Sequence, residues 1–291
     1  MTTPAWVPRQ LYPFESNYAD IDGARVHYVD EGDGPPLLLL HGNPTWSFLY
    51  RDVIDGLRDR FRCIAPDYPG FGLSGPAAGG YGYTPAEHAG VLEQLILQLD
   101  LKDVTMMVQD WGGPIGFAAA TRHPDRFAGF VIANTWAWPK SDLGTQLFSR
   151  FLGGPVGGYL ILRRNVFVEK LLPGGVRRKK LPDEVMQAYR GPFPDPESRR
   201  PVHVFPREIL RSRPFLAEIE RGLPALADRP ALIVWPTSDV AFREPERRRW
   251  EQVFPDHRTV TVEGAGHYIQ EDAAEEIVTA IREWEPTQRL S

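Results

Sequence analysis

The chain has 291 residues, 42% of them apolar and 24% charged, a balance that can fill a large core and excludes a disordered or fibrous protein. Its formal net charge of -5 provides no general attraction to nucleic acid or to an anionic membrane surface, so small-molecule partners are expected. The single cysteine, Cys63, excludes a disulfide within the chain, and its neighbours Ile64 and Ala65 mark it as core packing.

Residues 1–14 lack the positive start and continuous apolar run of a secretory leader. No later segment is long enough to span a membrane, and a cytoplasmic protein is expected. Strand-like alternation from Tyr18 to Val29 is interrupted at Asp22-Gly23, a pair suited to the positive φ angles of a tight hairpin turn. Pro36 then leads into Leu37-Leu38-Leu39-Leu40, a short run ending at His41-Gly42 that reads as a buried strand. Similar runs recur at Phe61–Ala65, Val104–Val108, Phe127–Ala133, Ala231–Trp235 and Arg258–Val262, and these are expected to be buried on both faces.

Helical patterns alternate with the strands. The clearest is Thr84–Leu99, where Thr84 and Glu87 form a capping box ahead of Val91, Leu92, Leu95, Ile96 and Leu99. Such alternation implies an α/β fold with a mostly parallel sheet flanked by helices and ligands bound beyond the carboxyl ends of the strands. The regularity fails between Trp138 and Leu216, a stretch rich in Gly, Pro and Phe with possible short helices. The expected organisation is therefore a core of 1–137 and 217–291 with a helical cap inserted at 138–216. The basic runs Arg177–Lys180 and Arg247–Arg249 read as solvated surface.

The segment Val108-Gln109-Asp110-Trp111-Gly112-Gly113 lies between an apolar strand and the helical pattern Pro114–Thr121. That is the place of a nucleophile elbow, whose serine version reads G-x-S-x-G; Asp110 takes the nucleophile position, Gly112 fits, and Val108 departs from the first glycine. Asp239, in Pro236-Thr237-Ser238-Asp239, and His267, in Gly264-Ala265-Gly266-His267-Tyr268, follow the last two strands in the order acid then base. Alone, each is an ordinary loop residue. Their succession at three positions appropriate to the fold points to covalent hydrolysis.

At these residues the chain resembles the haloalkane dehalogenases of the α/β-hydrolase fold. The resemblance rests on His41-Gly42-Asn43-Pro44-Thr45-Trp46, Ala65-Pro66-Asp67-Tyr68-Pro69-Gly70-Phe71-Gly72-Leu73-Ser74 and Gln109-Asp110-Trp111-Gly112-Gly113. Within the cap, Tyr189-Arg190-Gly191-Pro192-Phe193, Arg200-Pro201-Val202 and Phe205-Pro206-Arg207-Glu208 also resemble the family. The resemblance implies that Asn43 and Trp111 bind halide, since amide and indole N–H groups stabilise it without competing charge. Family members place the triad acid after either of two successive strands; here Asn134-Thr135-Trp136 offers no carboxylate and Asp239 does. That combination resembles a branch whose members self-associate, so a homo-oligomer is expected.

The implied reaction takes a small halogenated alkane and water to an alcohol and halide through an alkyl ester on Asp110, hydrolysed by water that His267 activates. Neither metal nor organic cofactor is expected. By the same resemblance Phe148, Phe151, Phe167, Leu171, Phe205 and Pro206 line the substrate pocket and its entrance. Two rivals remain: an epoxide hydrolase using the cap phenols of Tyr159 or Tyr189, and a non-catalytic small-molecule receptor on the same scaffold. Halide release from 1-bromobutane or 1,2-dibromoethane, beside an epoxide control, separates them. A broad panel yielding no halide would contradict the dehalogenase expectation.

Overall fold

The computed structural model describes residues 4–77 and 79–284. Residues 1–3 and 285–291 of the expected core lie outside this range. Asp22 and Gly23 take φ angles of 48° and 76°, the turn expected between β1 (Asn17–Ile21) and β2 (Ala24–Glu31). These strands pair antiparallel, with Tyr18 opposite His27. Six strands follow: β3 (Pro36–Leu40), β4 (Arg62–Pro66), β5 (Val104–Asp110), β6 (Phe127–Thr135), β7 (Ala231–Pro236) and β8 (His257–Val262).

The spatial order is β1-β2-β4-β3-β5-β6-β7-β8. Beyond the antiparallel β2–β4 contact every pairing is parallel. Leu37 to Leu40, in β3, are wholly buried, as a strand covered on both faces must be. β5, β6 and β7 share this burial, but β8 does not: only Val262 of its six residues is buried. The expectation of full burial fails at β8 because, among the described residues, this strand ends the sheet with β7 as its one neighbour.

The helices are α1 (Arg51–Leu57), α2 (Pro85–Gln98), α3 (Gly112–Arg122), α4 (Leu143–Leu152), α5 (Pro155–Arg164), α6 (Leu172–Gly175), α7 (Asp183–Arg190), α8 (Arg200–Arg211), α9 (Arg213–Gly222), α10 (Glu244–Val253) and α11 (Ile269–Trp284). Helix α2 begins at the expected capping box: Thr84 Oγ1 accepts the Glu87 N–H at 3.4 Å and Glu87 Oε2 accepts the Thr84 N–H at 2.9 Å. Helices α1 and α11 pack on each other, as do α2 and α3.

Between β6 and β7 the chain leaves the sheet and forms α4 to α9. Because β6 and β7 are parallel neighbours, the chain must return to the opposite end of the sheet. Helix α9, packed on α3, makes that return, and the expected boundary at 216/217 falls inside it. Helices α4, α5 and α8 pack on one another instead.

A buried ion pair joins these layers. Arg51 of α1 donates twice to Glu271 of α11, at 2.6 and 2.8 Å, and Tyr189 of α7 donates to the same carboxylate at 2.5 Å. Bidentate geometry and the added hydroxyl satisfy charges that would be costly to bury singly. Cys63 is buried in β4, where burial pushes its thiol up to about 12. Leu38→Ala should leave a cavity in the most enclosed part of the sheet and cost about 2–5 kcal/mol in denaturant unfolding. A loss below about 1 kcal/mol would show that the site collapses around the smaller side chain.

Candidate active site

The end of β5 turns sharply into α3, and Asp110 occupies that turn with φ at 50°. A positive φ is strained for a residue with a Cβ, so surrounding contacts must hold it. Thr135, at the end of the neighbouring β6, donates its hydroxyl to the Asp110 carbonyl at 2.5 Å. Close approach completes the constraint: a Cβ on Gly112 would stand 2.2 Å from the Leu40 carbonyl oxygen, and one on Gly42 would stand 2.3 Å from Asp110 Oδ1. Both positions therefore require glycine.

The Asp110 carboxylate is held by backbone donors. Asn43 N–H donates to Oδ1 at 2.8 Å, and the Trp111 N–H also bonds this carboxylate. Burial raises the Asp110 pKa above its ordinary 3.8, while the facing imidazole and the two N–H groups pull the other way.

His267 reaches the elbow from the loop between β8 and α11, placing Nε2 3.7 Å from Asp110 Oδ2. Its Nδ1 lies 3.0 Å from Asp239 Oδ2, on the loop after β7. This network assigns the proton to Nδ1 and leaves the Nε2 lone pair towards Asp110. Burial disfavours the imidazolium, but the Asp239 charge and hydrogen bond outweigh it and raise the His267 pKa above 6.5. Burial likewise disfavours the Asp239 anion, yet His267, Asn134 and the Ala241 N–H hold its pKa below 3.8. The three residues expected from the elbow and the last two strands thus converge.

Asn43 places its side chain beside α8, with Nδ2 donating to Val202 O at 3.2 Å. An amide nitrogen has two hydrogens, so this bond occupies one of them. Trp111 is buried edge-on against Trp136, with ring centres 4.7 Å apart, and tilted against Phe205 at 5.1 Å. Trp136 stacks on Phe242, which stacks on His267, giving a continuous aromatic wall.

Among the expected pocket residues, Phe167, Phe205 and Pro206 are buried, and Leu171 is just over one-third exposed. Phe148 and Phe151 are different: they are 43% and 55% exposed on α4. They share one stripe with Leu143 and Leu147, while Ser149 and Leu152 face inward. Phe148 and Phe151 thus face solvent from the outer stripe of α4, a position open to an entrance but not to an enclosed wall. Their aromatic character was legible; the direction of the helix face was not.

Three contributors went unassigned in the sequence. Asn134 Nδ2 donates to Asp239 Oδ2 at 2.6 Å, so the residue standing where the acid is absent supports the acid on the next strand. Gln109 Nε2 donates to the His267 carbonyl at 3.1 Å and lies 3.3 Å from His267 Nε2. Thr135 is the third. The available signal was polarity at the ends of two otherwise apolar strands. Among the described residues no group of His, Cys, Asp or Glu could hold a metal ion, and no helix is long and apolar enough to cross a membrane.

The chain is similar to known proteins along most of its length. The alpha/beta hydrolase fold family matches residues 35–274. Haloalkane dehalogenase 2 of Mycobacterium tuberculosis is 50% identical over 276 residues, covering 94% of this chain and 96% of the relative. A cis-3-alkyl-4-alkyloxetan-2-one decarboxylase of Shewanella oneidensis is 34% identical over 281 residues, covering 94% of this chain and 88% of that protein. The crystal structure of haloalkane dehalogenase DbeA from Bradyrhizobium elkani superposes with a TM-score of 0.85 at 28% identity, covering 93% of this chain and 97% of that one. An aspartate at the elbow, facing a histidine backed by a second aspartate, thus accompanies similarity along nearly the whole chain, which belongs to the haloalkane dehalogenase family of the alpha/beta hydrolase fold.

Proposed function

We propose that this enzyme hydrolyses haloalkanes through a covalent ester on Asp110. The observation that carries the reading is the pairing of Asp110 with His267 Nε2 at 3.7 Å, on a carboxylate already held by the Asn43 and Trp111 N–H groups. In the first step an Asp110 oxygen attacks the halogen-bearing carbon in line. The C–O bond forms as the carbon–halogen bond breaks, and the halide leaves with the electron pair. The Asn43 amide and the Trp111 indole hold it, both being donors without competing negative charge.

In the second step His267 Nε2 takes a proton from water as its oxygen attacks the Asp110 carbonyl carbon. The carbonyl oxygen becomes an oxyanion against the Asn43 and Trp111 backbone N–H groups, while Asp239 stabilises the imidazolium. Collapse breaks the ester C–O bond, the imidazolium gives its proton to the departing alcohol, and Asp110, left as the carboxylic acid, loses its proton to solvent and is again a carboxylate. No cofactor enters this scheme. Residues 138–216 act as a cap over the site, their C-terminal edge better placed ahead of α9, and Phe167, Leu171 and Phe205 contribute its apolar lining. Self-association covers the outward apolar stripe of α4, where Leu143 is 68% exposed and Leu147 56%.

The phenols available to an epoxide hydrolase are poorly disposed. Tyr189 donates to the buried Glu271, and Tyr159 is 56% exposed. The Shewanella relative favours a second reading, in which Asp110 opens a strained lactone at its ring sp3 carbon. The carboxylate so freed leaves as CO2, its electrons form the carbon–carbon double bond, and Asp110 departs as carboxylate. This path consumes no water. Incubation with a cis-3,4-dialkyl-oxetan-2-one and detection of alkene therefore separates the two activities.

His267→Gln should release at most one halide per protein and accumulate an alkyl adduct visible by intact mass spectrometry. Asp110→Ala should show neither. A His267→Gln protein that turns over repeatedly without an adduct would rule out the scheme. The two steps should also respond differently to pH. Hydrolysis needs neutral His267, whose pKa lies above 6.5, so it should fail as pH falls from the alkaline side of that value. Ester formation needs ionised Asp110 instead, so its loss in acid should follow that carboxylate, whose pKa burial raises above 3.8, and not the imidazole. Rapid-quench rates of the two steps across a pH series check this separation.

A further inference from the structure

The loop that carries His267 is tied to the chain between α6 and α7 by a carboxylate that the proposed reaction leaves unused. Asp272 Oδ2 accepts the Gly266 N–H at 2.8 Å and the Arg177 N–H at 2.9 Å, while Oδ1 accepts the Arg178 N–H at 2.8 Å. Gly266 immediately precedes His267. Arg177 and Arg178 follow α6 within the proposed cap. One side chain therefore holds the cap backbone and the histidine loop together.

Packing enforces the same juxtaposition. A Cβ on Gly266 would lie 2.2 Å from the Gly175 carbonyl oxygen, and one on Gly175 would lie 3.4 Å from His267 Cβ. The support below is interrupted, because Ala273 has φ -151° and ψ 39° and breaks α11 one residue after Asp272. Residues 269–272 thus form a separate turn, in which the Glu271 and Asp272 N–H groups donate to the Tyr268 carbonyl. Side chains hold it further: Glu271 is fixed by Arg51 and Tyr189, and Asp272 by the three backbone donors.

We propose that Asp272 is a positioning residue for ester hydrolysis, aiming His267 at its water only when cap residues 177 and 178 are seated. This rests on the Asp110 and His267 roles given above. The two half-reactions should feel its loss unequally. Carbon–halogen cleavage uses Asp110, Asn43 and Trp111, whereas proton transfer from water depends on the placement of the imidazole. Displacement of a reacting group by about 1 Å can cost on the order of 100-fold in rate.

The test is rapid-quench mass spectrometry with 1,2-dibromoethane, following formation and decay of the protein adduct in the native chain, Asp272→Ala, Asp272→Asn and Glu276→Gln. Asp272→Ala should form the adduct within about 3-fold of the native rate and lose it about 10- to 100-fold more slowly. Asp272→Asn keeps one acceptor oxygen and should be intermediate, and it carries the comparison if the alanine variant does not fold. Glu276→Gln removes an exposed ion pair to Arg178 and leaves the three backbone bonds, so both rates should be unchanged. Equal slowing of both steps, or native decay in the Asp272 variants, overturns the positioning role. Absence of any adduct in His267→Gln as well as in the native chain removes the underlying ester mechanism too, and so is distinguishable.

Discussion

A carboxylate is a useful nucleophile towards carbon only when it has shed most of its water and still carries its charge. These demands conflict, since removal from water favours the protonated form. At Asp110, the proposed nucleophile, the conflict is moderated by backbone donors, which solvate the anion from fixed positions. Their positions come from the ends of β3 and β5, adjacent strands whose register places Leu40 beside Val108. The hydrogen-bonded sheet thereby fixes the geometry of a charge that sits just beyond its edge.

The same economy extends along the sheet. Strands β3, β5, β6 and β7 are neighbours, and their carboxyl ends supply or adjoin Asn43, Asp110, Asn134, Thr135 and Asp239. His267 alone must travel from the loop after the edge strand. Its long reach explains why so many secondary contacts gather on it: Asp239 on one nitrogen, Gln109 on its carbonyl, Phe242 on its ring face and the Asp272 turn behind it.

Much of this is legible in the sequence because local and global signals agree. Asp22-Gly23 required positive φ, Thr84 and Glu87 announced a helix start, and the leucines of β3 had no polar face to expose. The failures occurred where orientation depends on distant neighbours. Nothing within His257–Val262 says that it ends the sheet, and the apolar residues of α4 have the same spacing whether they face the core or the solvent. Asn134 was noticed as the lack of a carboxylate, but its hydrogen bond to Asp239 spans 105 residues of sequence. Asp272 was hidden for the same reason, its cap partners lying 94 and 95 residues away.

The enclosure of Cys63 has a practical consequence for observing helix α4 in solution. The thiolate is the reactive form of cysteine, and a thiol pushed up to about 12 in a fully buried strand offers almost none of it near neutrality. The chain contains no other cysteine. A cysteine introduced on the solvent face of α4 would therefore be the sole labelling site in the folded protein, and a fluorophore or spin label attached there would report on that helix without background.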